Sequence, residues 1–128
     1  MQGGDVIRNH LAAIAADAAD HSGLSALCAA TAEVTEYLIG ADVDDRLAGS
    51  YAYTNMMAVV TSGWLMLKQL RAAQAEIANG DTSAFLRSKV AACRYYLDVM
   101  VPEALAYKGT AISGAELLYT LDAEDLAA

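Results

Sequence analysis

Between Leu47 and Leu67 the chain carries no charged residue. A run of that length is either a membrane span, which needs about 20 apolar residues, or the centre of a packed core. Its polar residues decide between the two. Thr54, Thr61 and Lys68 recur at heptad spacing, and so do Asn55, Ser62 and Gln69. A lipid-facing helix has no use for a regular polar stripe, because hydrocarbon offers those groups no partners. The remaining positions form two adjacent apolar rows at helical period. Tyr53, Met57, Val60, Trp64 and Leu67 make one row, and Met56, Val59, Gly63, Met66, Leu70, Ala73 and Ile77 the other. A helix with two apolar faces and one wet stripe is the central member of a water-soluble bundle. The expectation is no membrane span, with Trp64 packed between helices beside Met57, Val60, Leu67, Leu97 and Met100.

The rest of the chain is consistent with helix throughout. Alanine is abundant, proline occurs once, and no alternating β-branched run marks a strand. A length of 128 residues is enough for one domain with its own core. The formal net charge of −8 argues against nucleic acid and against an anionic membrane surface, both of which select basic patches. No charged start followed by an apolar centre marks a secretion signal. Cys28 and Cys93 lack close spacing and read as small buried apolar residues. A cytoplasmic setting is expected.

Turn signals divide the chain. Residues 1–4 read as the end of a linker, residues 5–119 as a single helical domain and residues 120–128 as a frayed acidic tail. Asp5 is expected to cap a first helix over Val6–Ala19. Gly23 supplies a turn before a second helix over Leu24–Ile39, which Gly40 caps. Asp42 or Asp44 caps a third helix that runs to Ala78. After the break at "NGDTS" a fourth helix carries Leu86, Val90, Cys93, Leu97, Met100 and Ala104 on one face, and Pro102 should kink it near Asp98. A short helical piece is expected over Ala115–Tyr119.

Short connections make neighbouring helices antiparallel, so the expected fold is all-α, an up-and-down four-helix bundle. The helices are unequal. At ~1.5 Å per residue the third would be roughly 50 Å long, about twice the first or second. The hairpin of helices three and four should therefore extend past the first pair. Leu70, Ile77, Phe85 and Leu86 continue its apolar rows there and form the candidate interface.

The parts of a catalytic centre are missing from the pattern. His10 and His21 lack the Glu-x-x-His spacing of a di-iron bundle and read as surface or partly packed residues. No phosphate-binding glycine loop and no nucleophile elbow occurs. Tyr53, Tyr95, Tyr96 and Tyr107 read as bundle-core rings with hydroxyls at the rim. No catalytic, cofactor-binding or metal-ligating residue is assigned.

Four pieces, in order, carry a resemblance. Gly3-Gly4 followed by Val6-Ile7-Arg8, then "ATAEVTEYLIG", then "YTNMMAVVTSGWLML", then "RYYLDVMVPEALAYKGTAISGAELL" are similar to the helical C-terminal domain of bacterial acyl-CoA dehydrogenases, in particular the group resembling 3-methylmercaptopropionyl-CoA dehydrogenase. The motif residues are Tyr53, Gly63 and Trp64 in the central helix, and Tyr96, Pro102 and Gly114 in the last piece. Asn55, Met57 and Val101 depart from the family pattern as packing changes.

The resemblance implies a non-catalytic accessory domain. The parent would be an FAD-dependent acyl-CoA dehydrogenase of fatty acid β-oxidation, with flavin and catalytic base in a core outside this chain. The implied partners are that core and further copies of the enzyme in a homo-oligomer. The implied absence is any FAD bound by this chain itself. A free-standing helical adaptor or dimerisation module is the alternative, and a ligand carrier built on a bundle cavity is a third reading.

Overall fold

A computed structural model describes residues 3–128; Met1 and Gln2, half of the expected linker, lie outside the described residues. Among the described residues every regular element is a helix or helical turn. They are α1 (Asp5–Asp17), α2 (Ser22–Gly40), α3 (Val43–Ala78), α4 (Ala84–Tyr95), a π turn (Tyr96–Met100), α5 (Val101–Glu103), a 3-10 turn (Ala104–Ala106), α6 (Tyr107–Ala111), a second 3-10 turn (Glu116–Tyr119) and α7 (Ala123–Ala127). No helix is long and apolar enough to cross a membrane, among the described residues.

The termini of these helices follow side-chain chemistry, not always as expected. Asp5 does not cap α1: Gly4 stands at the cap position in a left-handed conformation, and Asp5 occupies the first turn, where its charge complements the dipole. Gly23 is not a turn residue but lies inside α2, which starts at Ser22. The unforeseen cap is His21, whose Nδ1 accepts from the Leu24 N–H at 3.1 Å. A neutral imidazole nitrogen can replace the usual hydroxyl or carboxylate there. Gly40 ends α2 as its last residue, with Ala41 extended behind it. Asp42 caps α3 by accepting from Asp45 N–H at 2.9 Å. Gly80, at φ 103°, makes the turn between α3 and α4, a conformation that costs a glycine nothing.

Pro102 cannot donate a backbone hydrogen bond, and the chain absorbs that loss just upstream. The Val101 N–H reaches back to the Tyr96 carbonyl, which widens one turn into the π geometry of Tyr96–Met100. The helical path then continues through α5 and the 3-10 turn to Ala111. The acidic tail is not frayed throughout: Asp122 and Asp125 form a reciprocal capping box that starts α7.

The core lies where α2, α3 and the α4–α6 path meet, with α1 closing one side. Leu11, Ile14, Leu24, Leu27, Val34, Met56, Val60, Leu67, Leu97 and Val101 are its large buried members. Two glycines of α3 allow close approach. A Cβ at Gly49 would overlap the carbonyl oxygen of Ala111 in α6, and one at Gly63 would lie 2.9 Å from Leu24 and 3.0 Å from Val101. Both cysteines are buried and free, as expected of small apolar residues.

Candidate functional site

The motif residues build the inside of the domain. Tyr53 is half-buried on α3, and its hydroxyl shares a 2.7 Å hydrogen bond with Thr35 Oγ1 of α2. Thr35 in turn bonds the Thr31 carbonyl. Burial pushes the Tyr53 phenol above its usual pKa, and the Thr35 hydrogen bond partly offsets this. Gly63 sits at the crossing of α2, α3 and α5. Tyr96 is half-buried and opens the π turn, and Pro102 is exposed immediately behind it. Gly114 adopts φ 75°, which turns the chain so that Ala115 N–H donates to Asp45 Oδ1 at 2.8 Å. That bond fastens the last segment to the start of α3.

Trp64 departs from expectation. It is half-buried and not sandwiched between helices, and Met100 is exposed. Gly63 already occupies the crowded crossing, so the next residue, about 100° further round the helix, is turned to the seam with α1. There Trp64 Nε1–H donates to Asp17 Oδ2 at 2.7 Å, and His10 meets the indole edge-on with ring centroids 5.8 Å apart. Lys68 Nζ lies 4.3 Å from the ring centroid. Arg71 bonds Asp17 and Asp20, and His10 Nε2 bonds Thr61 at 2.9 Å. The result is a polar clamp between α1 and α3, to which the polar stripe contributes Thr61 and Lys68, the apolar row Trp64 and the following turn Arg71. His10 and Asp17 had no sequence signal as a clamp, because their partners lie far along the chain.

Two shallow grooves are open to solvent. One, of about 280 Å³, runs between α1 and α2 over Leu11, Ala15, Cys28 and Ala32. The other, of about 510 Å³, lies where Ile7, Leu38, Ile39 and Arg46 surround the Tyr53–Thr35 pair. Neither gathers a reactive set. Burial raises the Cys28 thiol above its usual pKa, which disfavours the thiolate a nucleophile requires. At the first groove Arg8 makes a two-pronged pair with Glu36, at 2.7 and 2.9 Å; this holds the Glu36 carboxyl below its usual range. Among the described residues no group of three or more His, Cys, Asp or Glu is placed to hold a metal ion.

Surface chemistry is more distinctive than the grooves. From Gln74 to Phe85 every residue is exposed, and α4 packs chiefly on α3. Of the candidate interface residues, Phe85 is 71% exposed, Ile77 38% and Leu86 intermediate. Leu70 is corrected: it is buried, because α3 is still covered at that height. Sequence reasoning missed a second apolar surface at the opposite end. Val43, Leu47 and Tyr51 form an exposed row on the first turns of α3, and Leu117, Leu118, Tyr119 and Leu121 lie exposed in the last segment. The signal was present in the row spacing, but a helix start rich in aspartate reads as solvated.

No curated protein and no solved structure matches the chain. A family described as "Acetyl-CoA dehydrogenase C-terminal like" matches residues 5–122. That span includes the Tyr53, Gly63–Trp64 and Tyr96–Pro102–Gly114 features, and the chain belongs to the acetyl-CoA dehydrogenase C-terminal-like family.

Proposed function

We propose that this chain is the non-catalytic C-terminal accessory domain of an FAD-dependent acyl-CoA dehydrogenase. It packs on the catalytic core or a neighbouring subunit of a cytoplasmic homo-oligomer that works in fatty acid β-oxidation. The group similar to 3-methylmercaptopropionyl-CoA dehydrogenase is the proposed subgroup, on the strength of the Tyr96–Pro102–Gly114 spacing. In this reading flavin and the catalytic base belong to the core, and the domain supplies contact. Its shape in that role is an up-and-down bundle with the α3/α4 hairpin projecting as an arm.

The observation that carries the reading is the family match over residues 5–122. The arm supports it independently. Ile77 and Phe85 stay open to solvent although they continue apolar rows, and exposed apolar surface commonly marks a binding site.

Two measurements test the proposal. The reading frame around this chain should encode a dehydrogenase core; a frame without one removes the accessory-domain reading. In the full-length enzyme, Ile77→Lys with Phe85→Lys should weaken subunit assembly and lower heat stability. Unchanged assembly and stability, with the domain still folded, would exclude the arm as the contact.

A further inference from the structure

The two exposed apolar surfaces are opposite in charge. On α4, Phe85 and Tyr95 are both exposed and stand on one face with Ser88 and Ala92 between them. That spacing leaves a low floor about 15 Å long between two aromatic rims. Arg87, Ala91 and Arg94 form a flanking row roughly 100° round the helix, where Arg87 also donates to the Thr82 carbonyl; Lys89 flanks Phe85 on the other side, and α4 has no acidic residue. None of the three basic groups forms an ion pair among the described residues. Glu76 and Asp81 at the tip and Asp98 beyond Tyr95 bound the face at its ends. In a chain of net charge −8 this is a local basic surface.

The last segment is its complement. Leu117, 84% exposed, Leu118, Tyr119, Leu121 and Leu126 are presented to solvent, interleaved with Glu116, Asp122, Glu124 and Asp125 and with no basic residue. None of these carboxylates forms an ion pair either, among the described residues. The turns here are helical but pack on no other element to any extent.

Within one chain the two surfaces do not pack on each other. Ala115 is fastened to Asp45, near the start of α3. Cys93 of α4 lies against Met66, with the two sulfurs 3.9 Å apart. Asp45 and Met66 are separated by about 30 Å at ~1.5 Å per residue, and Phe85 is roughly 12 Å beyond. Fully extended, the chain from Ala115 carries Leu121 no further than about 21 Å, short of the whole face, and the residues after it could reach Tyr95 only if the helical turns Glu116–Tyr119 and Ala123–Ala127 were pulled out. We propose that the acidic, leucine-rich segment Glu116–Ala127 of one copy docks on the basic Phe85–Tyr95 face of α4 in a second copy. The leucines lie over Ser88 and Ala92 between the aromatic rims, and the carboxylates face Arg87 and Arg94. Two copies set antiparallel make this contact twice, as a two-fold dimer requires. The inference rests on the arm being a contact surface and names its mate as the neighbouring copy's tail.

The test uses the chain itself in sedimentation equilibrium at about 100 μM, a concentration that reveals contacts of modest affinity. The wild-type chain should dimerise. Leu118→Asp with Leu121→Asp, and separately Phe85→Asp with Tyr95→Asp, should each give a monomer with unchanged circular dichroism. All four positions are exposed or at element ends, so the fold should survive. An equimolar mixture of the two variants should regain association, because one supplies an intact tail and the other an intact α4 face. Wild type that stays monomeric, variants that still dimerise, or a mixture that does not regain association overturns the tail contact. Each of those results leaves the accessory-domain reading standing, since that reading fails on a different observation, a frame without a dehydrogenase core.

Discussion

The two halves of α3 have much the same apolar pattern and different fates. From Gly49 to Ala73 its inward row is buried: Gly49, Ala52, Met56, Val60, Gly63, Leu67, Leu70 and Ala73. One turn later Ile77 continues the row and remains 38% exposed. The row itself carries on, between flanks that turn polar at Lys68, Arg71, Gln74 and Glu76. What changes is coverage, because α1, α2 and the α5–α6 path pack against the first half, and the second half has chiefly α4. Periodicity reports which face a helix prefers to bury, and the neighbours determine whether it is buried. The body gains its stability from packing on several sides, whereas the α3/α4 end leaves Ile77 and Phe85 open to solvent.

That contrast can be broken or sharpened by substitution. The largest effect belongs to the body. Leu27 is fully buried, and Leu27→Ala should destabilise by about 2–5 kcal/mol in a urea titration, the usual range for a large-to-small change in a core. Loss well below that would mean the body is loosely packed. Gly49→Ala should destabilise by about 1–3 kcal/mol, since its methyl meets the Ala111 carbonyl and a helix must shift. The same change at Gly109, whose surroundings are open, should be harmless or stabilising, and equal effects at both sites would refute the close approach of α3 to α6.

A smaller effect appears at alkaline pH. The folded state holds the Tyr53 phenol above its usual pKa near 10, so the neutral form is favoured by folding. Stability from this group is fully present below pH 10 and is lost as pH rises through the higher folded value. Tyr53→Phe should therefore lessen the decline in urea midpoint between pH 8 and 11, and an unchanged decline would assign it to other groups. The smallest effect belongs to the arm: at a dilution where the chain is monomeric, Phe85→Ala should change its stability by no more than about 0.5 kcal/mol, as an exposed position does. A large loss there would show that Phe85 packs within the monomer and would weaken its assignment as contact surface.

Some of this was legible before any coordinates. Helical character followed from alanine content, the lone proline and the row spacing, because those preferences are local. The cap at Asp42 or Asp44, which the structure gives to Asp42, and the break at Gly80 were equally local. Pro102 announced an irregularity near Asp98, although the sequence pointed to a kink and the chain made a π turn. Local signals failed where two residues competed for one role. Asp5 looked like a cap until Gly4 took the position, and Gly23 looked like a turn until His21 supplied the Leu24 N–H with an acceptor.

By itself the sequence determined that the chain is helical, where its long helices run, and that the uncharged stretch has a wet side. Only the tertiary structure decided that Thr61 and Lys68 of that side, with Trp64 from the neighbouring apolar row, meet α1. Trp64, Asp17, His10 and Arg71 are distant in sequence, and no spacing rule links them. They meet because Gly63 takes the crowded crossing and turns Trp64 toward α1. Exposure of Phe85, Tyr95 and the terminal leucines is likewise a property of what fails to cover them. A residue's own chemistry sets its preference for burial, but the opportunity depends on the placement of every other helix.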